Sequence, residues 1–212
     1  MNQRAGFAFA GAACATCLIS VSFFSMGCSR WEKNVVRGSM RFERLRHSKS
    51  GSIIGRLADD TVIQGYPCSA GWAHFYSDWR LKDFMLVSPM TINGVSVPAD
   101  TWVSLEPEGD LRRCAFPDDT TVQGFTCIGT GGSKGCATAF YESGRLKYFF
   151  SPENLVIKGI PCKGGQFSII GLHENGRVMT CKLSEKITIG KKMYRKGKNL
   201  SFDDKGNVVG GE

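Results

Sequence analysis

Three stretches of the chain are near copies of one another: IQGYPC at 63–68, VQGFTC at 122–127 and IKGIPC at 157–162. An internal repeat restricts a fold more than composition does, because one small unit cannot bury its apolar face alone and must stack on its neighbours. The copies belong to a longer period from about Leu57 onward. One column holds Phe75, Leu105, Phe140, Leu172 and Phe202, and a second, six residues later, holds Leu81, Leu111, Leu146, Val178 and Val208. Eleven residues after the first four of these come Ile92, Val122, Ile157 and Ile189, with Ile63 at the matching place in the first unit.

Between the first two columns lies a turn, written PEGD at 107–110, ESGR at 142–145, ENGR at 174–177 and DKGN at 204–207. Glycine at a fixed place between two apolar runs is a hairpin signal, since it adopts positive φ cheaply. Asp78 and Trp79 break the rule in the first unit. A second turn, ADDT at 58–61 and PDDT at 117–120, precedes the third column. Two turns in a unit of roughly 30 residues leave about three short strands each. The chain beyond its first residues shows no sustained helical period, and its 26 glycines recur too often for one. The expected fold is all-β: about five antiparallel β-hairpin repeats forming a curved meander or open solenoid.

Insertions fall in one loop. The third column leads to the next first column by 12, 13, 18, 15 and 13 residues, while the other two spacings stay fixed. The longest version, IGTGGSKGCATA at 128–139, makes Thr130, Ser133, Lys134 and Cys136 the candidate binding loop, because recognition in repeat proteins concentrates in loops that vary on a constant frame. A tolerated surface insertion is the alternative. GTGGSKG within it lacks the spacing and the helix of a phosphate-binding loop.

The N-terminus sets the compartment. Arg4 is followed by 23 uncharged residues, Ala5 to Gly27, directly before Cys28. This resembles the lipobox of bacterial lipoproteins, in which the cysteine after the cut receives lipid, although Ser25 stands where the family prefers leucine. The resemblance implies a signal peptide or membrane anchor at 1–27, lipid attachment at Cys28, and residence in the bacterial outer membrane or periplasm. A soluble exported form and an uncleaved anchor stay open. Residues 28–56 read as a basic tether that ends in a degenerate N-terminal cap, 57–209 as the repeat domain and 210–212 as a tail. Cys14 and Cys17 form CATC, which lies inside the apolar leader without a strand-helix frame.

Beyond Cys28 six cysteines remain. Five of them, Cys68, Cys114, Cys127, Cys162 and Cys181, share columns with Val97, Tyr194, Phe84 and Phe149, so they read as buried apolar positions. Outside the leader no C-x-x-C pair exists, which disfavours zinc; no metal or other cofactor is expected. In an oxidising compartment a disulfide between Cys114 and Cys127 would close a short loop and add about 3 kcal/mol; Cys162 with Cys181 is a pairing in another register. His47, His74 and His173 lie in different units, and His74 and His173 are turned by alternation away from the first column. The basic run YRKGKN at 194–199 reads as a solvated tip, and the net charge of +8, interspersed with acidic residues, fits plain solubility; no nucleic-acid partner is expected, because an exported protein seldom meets one.

The F-x-x-x-G-x-L and I-x-G-x-P-C pattern over 57–209 resembles exported bacterial tandem β-hairpin repeat proteins, in a layout similar to MORN-like and antitoxin-like repeats. The closely spaced tyrosines, tryptophans and paired glycines of the shorter MORN unit are absent. The resemblance carries no activity over to this chain. The reading is a non-catalytic, envelope-associated scaffold that binds a protein or glycan partner through one face and the variable loops, with Trp72, Trp79 and Trp102 as candidate surface aromatics. The alternatives are a purely structural repeat with no ligand and a thiol redox protein using Cys136.

Overall fold

The computed structural model describes residues 30–132 and 134–211. Of the 23 strands among the described residues, thirteen form one open antiparallel sheet, and the other ten form five separate two-stranded ribbons. Sheet order follows chain order. The only helical element among the described residues is a 3-10 turn, Lys134–Cys136. The all-β repeat reading therefore holds, with one refinement: a full unit has four strands.

The fourth strand arises because I-x-G is itself a turn. Gln64–Gly65, Asn93–Gly94, Gln123–Gly124 and Lys158–Gly159 all carry two consecutive positive φ angles, as in 52° and 87° for the first pair. That is the signature of a type I′ hairpin turn. It folds Thr61–Ile63 onto Tyr66–Cys68 and repeats at Thr120–Val122 with Phe125–Cys127 and at Leu155–Ile157 with Ile160–Cys162.

The long hairpins turn at six equivalent tips. In each, the amide of the glycine position bonds the carbonyl three residues before it, at 2.8–3.1 Å. In five of them the ladder then slips by one residue, as between Ser104 and Leu105 or Ala139 and Phe140. This is a type I turn closed by a left-handed residue and a bulge. Five tips use glycine there, whereas the tip at 76–79 uses Trp79, with φ 70°. A bulky residue is strained in that region. Its indole offsets the strain by packing against Phe42 and Phe75 beneath the guanidinium of Arg37, 3.9 Å from the ring centre.

Alternation along the long strands divides the sheet into two faces. The inner face carries the first two columns, and the five ribbons lie over it. Phe84, Phe149, Ile63, Ile157, Leu105 and Leu172 join one core cluster, each at most 5% exposed. The ribbons are tied to the following unit through the main chain: Val87 N–H donates to Pro67 O and Ser184 N–H to Pro161 O, at 3.0 and 2.9 Å.

The segment expected as a tether is a correction. Residues Glu32–Arg37 and Met40–His47 form the first hairpin of the sheet and continue into Ile53–Leu57. Phe42 and Leu45, 1% and 3% exposed, point into the core, and a bulge between Phe42 and Arg44 resets their alternation. The many arginines masked that apolar pattern. The leader, Cys14, Cys17, Cys28 and Ser133 lie outside the described residues.

Candidate functional site

The outer face gathers residues from several units. Cross-strand pairing sets Ile54 beside His74, His74 beside Asp83, Asp83 beside Ser104, and Ser104 beside Arg113. His74 Nδ1 lies 3.1 Å from Asp83 Oδ2, and Arg112 Nε and Nη2 donate to Ser104 Oγ at 3.2 and 2.6 Å. Asp83 is 8% exposed. Its Oδ1 makes no hydrogen bond among the described residues, and Arg112 Nη2 approaches it only to 3.8 Å. Burial works to raise the Asp83 pKa. Hydrogen bonds from His74 and Ser104, with the charges of His74 and Lys134, outweigh it and hold the carboxyl below its usual range.

A parallel row on the same face is aromatic. Arg56 pairs with Trp72, and Met85 pairs with Trp102. Trp72 is 52% exposed, and its ring meets Trp31 at 5.6 Å, with the Arg46 guanidinium 4.7 Å over the latter ring. Trp102, by contrast, is covered: Lys134 Nζ sits 4.4 Å above its ring, and the strand Trp102–Leu105 is buried along its whole length. The cover is the long variable loop.

That loop is fixed by its main chain. Thr130 and Gly131 amides donate to the Phe116 and Pro117 carbonyls, and Gly129 N–H donates to Asp119 Oδ1. Gly129 is required by closeness, since a Cβ there would lie 2.1 Å from the Asp118 carbonyl carbon. Between the loop and the aromatic row opens a cleft of about 360 Å³, walled by Trp72, Met85 and Trp102 on one side and Gly132 and Lys134 on the other, with His74 and Asp83 exposed to it. Of the candidate loop residues, Lys134 faces this cleft and Thr130 sits at the loop base. Cys136 turns away from it: it is 7% exposed, its Sγ is 3.7 Å from Gln166 O, and burial pushes its thiol up.

The cysteines of both columns are buried free thiols. Cys114 and Cys127 are not cross-strand partners. Cys114 pairs with Val103 and Thr138 and Cys127 with Thr120, because the Gln123–Gly124 turn draws 125–127 back onto 120–122. The two still interact through the core: burial and the neighbouring Cys127 raise the Cys114 thiol well above its ordinary value, while burial raises Cys127 to about 11. Cys162 stands beside Cys181, which together with burial raises the Cys162 thiol strongly.

Of the sequence candidates, the structure brings His74, Trp72, Trp102 and Lys134 together. It separates Trp79, which packs toward the core, and His173, whose Nε2 meets Phe202 O at a hairpin tip. Asp83 and Arg112 were missed. The available signal for Asp83 was register: the residue before the first column and the second residue after the next column face each other across every long hairpin. The His74–Asp83–Ser104 row is no nucleophilic relay, because Ser104 lies beyond Asp83 from the imidazole and is fully buried. No protein-family model matches the chain, and no curated protein is significantly similar to it.

Proposed function

We propose that the protein is a non-catalytic binding module of the bacterial cell envelope, tied to the membrane by lipid on Cys28, and that it grips a glycan in the outer-face cleft. The observation that carries the glycan reading is Trp72, a half-exposed indole forming the wall of a cleft that His74, Asp83 and Lys134 also line. An indole face matches the C–H face of a sugar ring, while Asp83, His74 and Lys134 suit its hydroxyls. The cleft falls within the usual range for small-ligand sites, about 300–1,000 Å³. Charge and exposure support binding over thiol chemistry: a redox nucleophile needs an accessible thiol of low pKa, and Cys136 is buried with its thiol raised. In an oxidising compartment, Cys114 with Cys127 and Cys162 with Cys181 are the pairs a disulfide would join.

Titration of the full chain with soluble peptidoglycan fragments, followed by tryptophan fluorescence, tests the reading. Saturable binding that weakens about tenfold or more in Trp72→Ala supports it. Equal affinity of that variant, or no saturation by any envelope glycan, sinks it in favour of a structural repeat without a ligand. Intact-mass measurement of membrane-extracted protein, with and without reduction, checks the lipid on Cys28 and counts the disulfides.

A further inference from the structure

The last ribbon, Ile187–Ile189 with Lys192–Tyr194, differs from its predecessors. In the earlier ribbons the third-column residue is 3–5% exposed, and the residue five further on, Cys68, Val97, Cys127 or Cys162, is wholly buried. Ile189 and Tyr194, at the same two positions, are only half-buried. The reason is visible in the main chain. Cys68 and Cys162 bridge to Leu86 and Leu183, at the end of the next long strand, and the flanking Pro67 and Pro161 carbonyls accept amides from it. No strand end takes this place beside Lys192–Tyr194 among the described residues. What remains is a groove of about 460 Å³ between that ribbon and the open edge of Val208–Gly211.

We infer that this groove takes an acidic peptide in extended conformation, paired through its backbone to the Met193 carbonyl and Arg195 amide, the positions that bind the next strand in earlier units. The inference is independent of the glycan reading. An unpaired strand edge is a ready template for an added strand. Charge selects the occupant: Lys192, Arg195 and Lys198 line the groove, and none makes an ion pair among the described residues. A second copy of the chain is disfavoured as occupant because its opposite edge, Glu32–Arg37, carries Lys33 and Arg37 with Arg30 and Arg41 beside it, so stacking would join two basic ends. Met193, 64% exposed, and Tyr194 offer apolar contact to alternate side chains of the incoming strand.

Fluorescence anisotropy of the full chain with a labelled peptide of about ten residues alternating glutamate and valine is the test. Saturable binding is expected, about tenfold weaker or more with Lys192→Glu/Arg195→Glu and equally weakened when alternate amides of the peptide are N-methylated. Both substituted residues are exposed, so the variant should fold, which circular dichroism checks. Three results would overturn the inference: no binding of the peptide, equal binding of the N-methylated peptide, or concentration-dependent dimers on size exclusion. Uptake onto phosphatidylglycerol vesicles that the double variant abolishes, with the peptide unbound, would make the groove a lipid site instead.

Discussion

The two faces of the long sheet obey different rules. On the inner face, one column accepts Phe, Cys, Phe and Cys in successive units and another accepts Cys, Val, Cys, Cys and Tyr, and nearly all of these residues are fully buried. On the outer face the groups change from strand to strand in the middle of the sheet: Trp72 is open, Trp102 is roofed by a loop, and His74, Asp83 and Ser104 form one local polar row. Burial against an identical neighbour asks only for apolar volume, so the inner residues are interchangeable in kind. A recognition surface needs a single arrangement at a single place, so the period is lost where that arrangement lies.

The sharpest break of the contrast comes from truncating the inner face. Phe149→Ala should cost about 3–5 kcal/mol in urea unfolding, since Phe149 is wholly buried and packs on Phe125 at 5.2 Å. Gly129→Ala, at the base of the outer loop, should cost about 1–3 kcal/mol, because the new methyl meets main chain that must move. Asp83→Asn should cost about 1–2 kcal/mol at neutral pH, by removing a charge that His74 and Ser104 stabilise. The Asp83 pKa is lower in the folded than in the unfolded chain, so its stabilisation is complete above the unfolded value and is lost as pH falls through the folded one. Wild type and Asn variant should thus begin to converge as pH falls below about 4 and meet only below the folded value. Smallest of all, Trp72→Ala should shift stability by no more than about 1 kcal/mol, the worth of its contact with Trp31, while removing the proposed glycan affinity. An unfolding cost of several kcal/mol at Trp72 would show instead that the indole is structural.

The inner face was legible in the sequence because its information is local. Six residues between columns span one hairpin tip and eleven span a strand and a turn, so Phe75, Leu81 and Ile92 announce themselves by spacing alone. The count of strands per unit came out one short because I-x-G was not counted among the turns, although two residues of positive φ suffice to reverse the chain. Phe42 and Leu45 were hidden by a bulge that breaks strict alternation among arginines. The outer site was less legible for a different reason: Trp72, Asp83, Trp102 and Lys134 come from three strands and a loop, and only register brings them together. Cys114 and Cys127 were placed opposite one another in a single hairpin, where the chain makes two turns and lets the thiols meet through the core instead.

One consequence of the sheet's connectivity concerns how the chain reaches this structure. Because strand order in space is strand order in sequence, long strands find partners among their immediate neighbours, and even the ties that skip a unit, such as Tyr66 Oη to Gly109 O, span only 43 residues. No early segment has to wait for a distant late one. Such a chain can nucleate in one unit and zip outward, fold in step as it emerges from a narrow passage, and open from its two ends inward, with amide protection falling from the middle of the sheet toward Val208–Gly211.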